Sequence, residues 1–429
     1  GGTRVLDQKK GRSSERHGGI PEPDQAFRER ILRVLTFSST YTLNAEVVNL
    51  QLRLLPRKTF FMILINAPKV GVEEIEAAIK VLKGGVLTHG LGEGPAVTEF
   101  ERVFSKFVKA KHAIAVNSGT AALHSALAAT GIKHGDEVIL PSFTFVATAE
   151  AIVIAGARPV FVDIDPNTYD ISPEATEKAV TRKTKAIMPV DLYGLPADMH
   201  PLKETADKHS LKTIEDAAQA HGATYKGKPP GSLADVACWS FYASKNMTTG
   251  EGGMVTTNSN EVAETLRSTR SHGEKKEKYK SLMLGHNYRM PEIEAAIGSV
   301  QLRKLPRFLA KRRENARILT QRLKRTKKLS LPHEPQGYGH SWYLYTVKIN
   351  RARKEQRDKV VETLNREGIG ATIYYPIPIH LMPFYSRFAK RRLPETEKAA
   401  KQVFSLPVHP GVMPKQVDFI GQTVSRLLQ

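Results

Sequence analysis

From Pro68 onward the chain alternates helical periodicity with short apolar runs, and this alternation constrains the fold more than any other feature. Val72 to Lys83 and Pro95 to Lys109 repeat apolar residues at helical spacing, and His112 to Val116 is an apolar run that stops at Asn117. A small-residue helix (Thr120 to Thr130), a strand (Glu137 to Leu140), a helix (Glu150 to Ala155) and a strand (Pro159 to Ile164) follow. The alternation goes on with a helix from Pro173 to Thr181, where Ser172-Pro173 gives an N-cap followed by proline at the first helical position. Lys185 to Val190, Leu211 to Ile214 and Val236 to Phe241 are further strand candidates. Strands apolar throughout and separated by helices predict an α/β protein with a mainly parallel sheet, covered on both faces.

The pattern changes after about Gln301. A helix from Glu292 to Leu302 gives way to a charged one over Pro306 to Arg325. Trp342 to Ile349 then alternates like a half-exposed strand, and a helix from Glu355 to Glu367 and a Pro-rich stretch, Tyr374 to Pro383, follow. This predicts a large domain over residues 62–305 and a smaller C-terminal α+β domain over 306–429. A chain of 429 residues is long enough for two cores.

Residues 1–61 read differently. They contain no methionine and hold 11 Lys/Arg against 6 Asp/Glu, so without them the net charge would fall from +21 to +16. The expectation is a poorly ordered extension, or a biological start at Met62, with a real but divergent N-terminal arm as the alternative. Hydrophobic residues make up 41% and charged residues 25% of the chain, which is globular rather than disordered composition. No run of ~18 uncharged apolar residues suggests a membrane span, and the N-terminus lacks an apolar signal core. The single cysteine, Cys238, permits no internal disulfide and no multi-cysteine metal site, so no metal is expected and a cytoplasmic setting fits. The charge of +21 raises nucleic acid as a partner, but no helix-turn-helix, zinc-finger or RNP-type pattern accompanies it. Nucleic acid is therefore not expected, and an anionic diphosphate substrate suits the charge.

Four local features can carry chemistry. Asn117-Ser118-Gly119-Thr120-Ala121-Ala122 is a strand-to-helix junction whose new amides can cradle an anion, although a plain Ser/Thr cap reads the same way. Ile214 to Gly222 places Asp216 after a buried strand, where α/β proteins put ligands. Asp216 can there salt-bridge a protonated pyridine nitrogen, with Gln219 in reach of the same ring, or simply cap a helix; His221 reads as structural. Trp239 to Asn246 ends an apolar strand on Lys245. A lysine there is desolvated, and a lowered pKa suits Schiff-base chemistry. Thr248 to Gly253 then turns tightly into a strand over Met254 to Thr256. Leu284 to Pro291 opens the helix that begins at Glu292 and gains meaning only beside the other three.

The blocks Asn117–Ala122, Glu215–Gly222, Ser240–Gly253 and Asn287–Leu302 together resemble the DegT/StrS family of pyridoxal-phosphate (PLP) dependent nucleotide-sugar aminotransferases, in order and in spacing. The likeness runs from about Pro68 to the C-terminus and includes Tyr375–His380 and Ser405–Pro410. It implies the fold-type-I transferase architecture with a mainly parallel seven-stranded sheet, and PLP as cofactor. It also implies Lys245 as the Schiff-base and proton-shuttling lysine, Asp216 on the pyridine nitrogen and Gln219 near the ring hydroxyl. Gly119, Thr120 and Ser240 would hold the phosphate, with Asn287 of a neighbouring subunit completing that site. Phe145 would lie over the cofactor, although a core phenylalanine reads nearly as well, and Tyr288 and Arg289 would touch substrate.

Relatives that replace the lysine by histidine remove a sugar hydroxyl instead, so Lys245 favours amine transfer. The resemblance thus implies a homodimer with shared sites that moves an amino group from L-glutamate to a keto-sugar nucleotide. The run Ser240–Gly253 is most similar to members making 4-amino sugars, perosamine synthases among them, which favours a 4-keto-6-deoxyhexose. Rival readings are another fold-type-I PLP enzyme, such as a lyase or a non-sugar aminotransferase, and a DNA-binding regulator.

Overall fold

The computed structural model describes residues 62–275 and 279–429, so the expectations for residues 1–61 lie outside the described residues. Two helices, α1 (Val72–Gly84) and α2 (Pro95–Phe107), precede β1 (His112–Val116) and α3 (Gly119–Ala129). The alternation continues with β2 (Glu137–Pro141), α4 (Ala147–Ile154), β3 (Arg158–Val162), α5 (Pro173–Glu177), β4 (Thr184–Ile187), α6 (Met199–Lys208) and β5 (Lys212–Asp216). A two-residue β6 (Thr224–Tyr225), then β7 (Val236–Ser240), β8 (Gly253–Thr257) and α7 (Asn260–Arg270) follow.

Seven strands form one sheet in the order β1-β8-β7-β5-β4-β2-β3. The neighbours from β7 to β3 pair in parallel, and β8 runs antiparallel to both β1 and β7. The strands are buried along almost their whole length because both faces are covered. Ile114, Val116, Val236 and Cys238 point into a core shared with α3 and α4, whereas Ala113, Ala115, Ala237 and Trp239 point into one shared with α2. The expected mainly parallel seven-stranded sheet is the one observed.

The remaining elements are α8 (Glu292–Leu323), β9 (Leu329–Ser330), β10 (Tyr338–Gly339), β11 (Tyr345–Ile349), α9 (Lys354–Arg366), α10 (Pro394–Gln402), β12 (Val403–Leu406) and α11 (Pro414–Leu428). Two sequence expectations need correction here. The helices expected over 292–302 and 306–325 are one helix, α8, with Pro306 inside it. Proline removes one backbone donor and crowds the preceding turn, at a cost of about 3 kcal/mol. Burial on both sides of it offsets that cost: Leu302 and Leu305 pack into the core with α2, and Ala316, Leu319 and Leu323 into a separate core. Residue 305, where the change of pattern suggested a boundary, therefore falls inside a helix.

The second correction concerns the strand expected over 342–349. It begins only at Tyr345, because Trp342 has a left-handed backbone (φ 52°). It is also buried rather than half-exposed, since β12 and β9 flank it in a three-stranded antiparallel sheet and Ala316, Leu364, Val417 and Ile420 share its core. Among the described residues no helix is long and apolar enough to cross a membrane.

Candidate active site

The sheet brings three chain reversals to one edge. β5 ends at Asp216 and β7 at Ser240, parallel and in register with Asp216 opposite Cys238, and β1 leads directly into α3. Ligands of open α/β sheets bind at such strand ends. The Oγ of Ser118 caps α3 by accepting the Ala121 N–H at 3.1 Å. Gly119 begins the helix, and a Cβ there would lie 2.8 Å from the Cβ of Ser240. Only glycine lets the first amides of α3, at Gly119 and Thr120, stand beside the Ser240 hydroxyl, and together these donors form a cradle for an anion. A side chain at Gly253 would run into the Ser118 carbonyl, so the same junction needs glycine from the β8 side too.

Asp216 is buried. Its Oδ2 accepts from the Thr148 hydroxyl at 2.9 Å and its Oδ1 from the Ala218 N–H at 3.2 Å. Burial pushes its pKa up, while those two donors and the Lys245 charge oppose the rise. Lys245 stands on the loop after β7 rather than at the strand's end, its N–H donating to the Tyr242 carbonyl at 2.9 Å. Burial lowers the Lys245 amine to about 8, with Asp216 pulling the other way. An amine so placed is neutral part of the time near neutral pH, which a solvated surface lysine is not.

Gln219 is fixed at both ends. Its Oε1 accepts the Tyr193 N–H at 2.8 Å and its Nε2 donates to the Tyr375 hydroxyl at 3.2 Å. The Tyr375 ring lies between Phe143 and Phe145, with centroids 6.3 and 6.2 Å away. Phe143 is fully buried, whereas Phe145 is 56% exposed, so Phe145 is not a core phenylalanine but an open ring at the rim of the site.

The fourth sequence block sits apart. The Asn287 carbonyl accepts from Asn117 Nδ2 at 3.3 Å, next to the cradle, but the residue itself is exposed. The Tyr288 hydroxyl pairs with His124 Nδ1 at 3.1 Å and its ring stacks on His286, while Arg289 donates to Ser271 Oγ at 3.2 Å. His221 is fully buried against Trp239 and Phe241, consistent with the structural reading. Sequence reasoning assigned no role to Thr148, Tyr343 or Tyr375. Tyr375 stood in a block already noted, and its placement in that block was the available signal. Nothing local marked Tyr343, whose ring lies 4.8 Å from the Lys245 Nζ, or Thr148, one hydroxyl in a helix of small residues. Among the described residues no group of three or more His, Cys, Asp or Glu is placed to hold a metal ion.

These donors fit pyridoxal phosphate in their chemistry. A phosphate needs the cradle at Gly119 and Ser240, a pyridine N–H needs a buried carboxylate such as Asp216, and an aldehyde needs an amine of lowered pKa such as Lys245. Comparison with known proteins agrees. The profile of the DegT/DnrJ/EryC1/StrS aminotransferase family matches residues 68–425. The chain is 43% identical over 337 residues to the pleiotropic regulatory protein of Geobacillus stearothermophilus, covering 77% of this chain and 89% of that one. It is 41% identical over 337 residues to the GDP-perosamine synthase of Caulobacter vibrioides, covering 78% and 91%. Among solved structures, S. venezuelae DesV in complex with a ketimine intermediate superimposes with a TM-score of 0.79 at 37% identity, over 83% of this chain and 94% of that one. The chain belongs to the DegT/DnrJ/EryC1/StrS aminotransferase family.

Proposed function

We propose that this enzyme transfers an amino group from L-glutamate to a keto-sugar nucleotide, with a 4-keto-6-deoxyhexose as the sugar, in the cytoplasm and as a homodimer. The observation that carries the reading is the convergence at the strand ends of a buried, doubly hydrogen-bonded Asp216, the close approach of Gly119 to Ser240, and the Lys245 amine on the loop after β7, which feels the Asp216 charge. Bound PLP supplies the electron-withdrawing ring that lets an amino group leave one carbon skeleton and join another.

The protein's own groups do the rest. Gly119, Thr120 and Ser240 hold the phosphate. Asp216 keeps a proton on the pyridine nitrogen, and Thr148 with the Ala218 N–H fixes both of its oxygens for that task. Lys245 Nζ takes the proton from the α-carbon of L-glutamate and later delivers one to the sugar carbon that receives the amine. Gln219, held by Tyr375 and the Tyr193 N–H, would hydrogen-bond the cofactor's hydroxyl, and Phe145 would pack against its ring. Asn287 of the partner subunit would complete the phosphate site, a reading supported by the exposure of Asn287 and of the apolar residues Val86, Leu87, Leu282 and Leu284. Tyr288 and Arg289 would touch substrate, as the family resemblance implies. The similarity to a GDP-perosamine synthase supports the 4-keto sugar.

The test is a panel of GDP-, dTDP- and UDP-linked keto-hexoses given to the glutamate-treated enzyme, with product mass as the readout. The reading expects amine transfer to a 4-keto-6-deoxyhexose in preference to 3-keto sugars. Preference for a 3-keto sugar, or no transfer to any nucleotide sugar, contradicts it.

A further inference from the structure

The mechanism above leaves one contact of the catalytic lysine unused. The Lys245 Nζ stands 4.8 Å from the centroid of the Tyr343 ring, over its face. That ring is held from three directions. Its hydroxyl is 2.9 Å from the hydroxyl of Ser244, the residue next to Lys245. Its backbone carbonyl accepts from Arg312 Nη1 at 3.1 Å, and the same nitrogen reaches the Trp342 carbonyl at 3.2 Å. On the other side, the Leu344 N–H donates to the Tyr193 carbonyl at 3.2 Å.

Arg312 is an unusual clamp. It is 2% exposed, its hydrogen bonds go to these two carbonyls, and its Nε has no partner. A buried guanidinium spent on backbone carbonyls is costly unless the segment it fixes matters. The segment it fixes presents Tyr343.

An aromatic face attracts a cation, and the attraction strengthens where water is excluded. Tyr343 is 5% exposed, so the ring offers Lys245 a counterweight to the burial that disfavours its ammonium form. Asp216 is the other counterweight. We propose that Tyr343 is a positioning residue whose ring face holds the free ammonium of Lys245 whenever the lysine carries no covalent bond, with Arg312 and Ser244 fixing the ring. The inference rests on Lys245 being the cofactor lysine, but the contact itself does not.

The test titrates Lys245 in the full-length, cofactor-free protein. The rate of labelling by an amine-selective reagent is followed from pH 6 to 11 by mass spectrometry of the peptide that carries Lys245. Tyr343→Leu removes the π face, and the midpoint is expected to fall by about 0.5–1 pH unit. Tyr343→Phe keeps the face and is expected to hold the midpoint within ~0.3 unit. If the Leu variant does not fold, a series of fluorinated phenylalanines at position 343 preserves ring volume while weakening the face, and the midpoint should fall stepwise with fluorine number. A midpoint unmoved by Leu or by fluorination overturns the proposal. So does an equal shift in the Phe and Leu variants, which would assign the effect to the Ser244 contact. Borohydride fixation of PLP to the protein in Lys245→Ala at the wild-type level would instead overturn the cofactor-lysine reading and leave this titration interpretable.

Discussion

Two walls of the site are built by different means. One is the edge of the sheet, where Gly119, Asp216 and Ser240 are set by strand ends and a helix start. The other is aromatic. Tyr343 and Tyr375 reach the site from the chain beyond α8, and they touch Lys245 and Gln219 across about a hundred residues of sequence or more. The edge supplies groups that do chemistry, fixed by backbone geometry. The aromatic wall supplies groups that hold those groups still. Loss from the first should therefore abolish or cripple turnover, and loss from the second should only detune it.

Asp216→Asn is the harshest way to probe the edge. The amide keeps the size and the approach of the Thr148 hydroxyl but carries no charge to retain a ring proton, so kcat should fall by about 10²–10³-fold while the fold persists. A fall below tenfold would move Asp216 out of the chemistry. Gly119→Ala comes next. Its Cβ meets Ser240, and unfolding should cost about 1–3 kcal/mol less, with PLP bound about tenfold more weakly as the cradle opens. Calorimetry and a PLP titration read both, and unchanged PLP affinity would break the assignment of the cradle.

The aromatic wall should respond more gently. Tyr375→Phe deletes the acceptor of the Gln219 Nε2 but leaves the ring between Phe143 and Phe145. The lost hydrogen bond is worth about 1 kcal/mol, so kcat/KM should drop by about 3–10-fold. A loss as large as that of Asp216→Asn would erase the distinction between the two walls.

The smallest effect on turnover is expected at His221, which shares a sequence block with Asp216 yet lies in the core. Both of its ring nitrogens lack partners, and burial lowers its pKa from 6.5 to about 3. The unfolded chain therefore binds the extra proton near pH 6.5 and the native chain only near 3, so stability falls as pH drops through that window. His221→Phe should leave activity unchanged within about twofold and make the decline of Tm between pH 6.5 and 4 shallower. An unaltered slope would contradict the burial account.

The difference between the walls also explains what was legible in the sequence. Strand and helix alternation predicted the sheet because its strands are buried on both faces, and a glycine at a helix start, an aspartate at a strand end and a lysine in the loop after one are local signals. Pro306 misled for a local reason too: it reads as a helix start, and only packing on both sides of it carries α8 through. Thr148 was silent because a hydroxyl in a small-residue helix has no signature until β5 brings Asp216 to it. Tyr343 was silent because its meaning depends on Arg312 and on a left-handed turn at Trp342.

The central claim is that Lys245 and Asp216 form a PLP site for amine transfer, and the visible spectrum of the full chain tests it most directly. Addition of PLP should give a bound-cofactor band, and addition of L-glutamate should convert it to the amine form. Borohydride treatment should fix the cofactor covalently to the wild type but leave it removable by dialysis from Lys245→Ala, which should lose at least ~10⁴-fold in transfer. No band in the wild type, or a Lys245→Ala protein that binds and converts PLP like the wild type, would contradict the account.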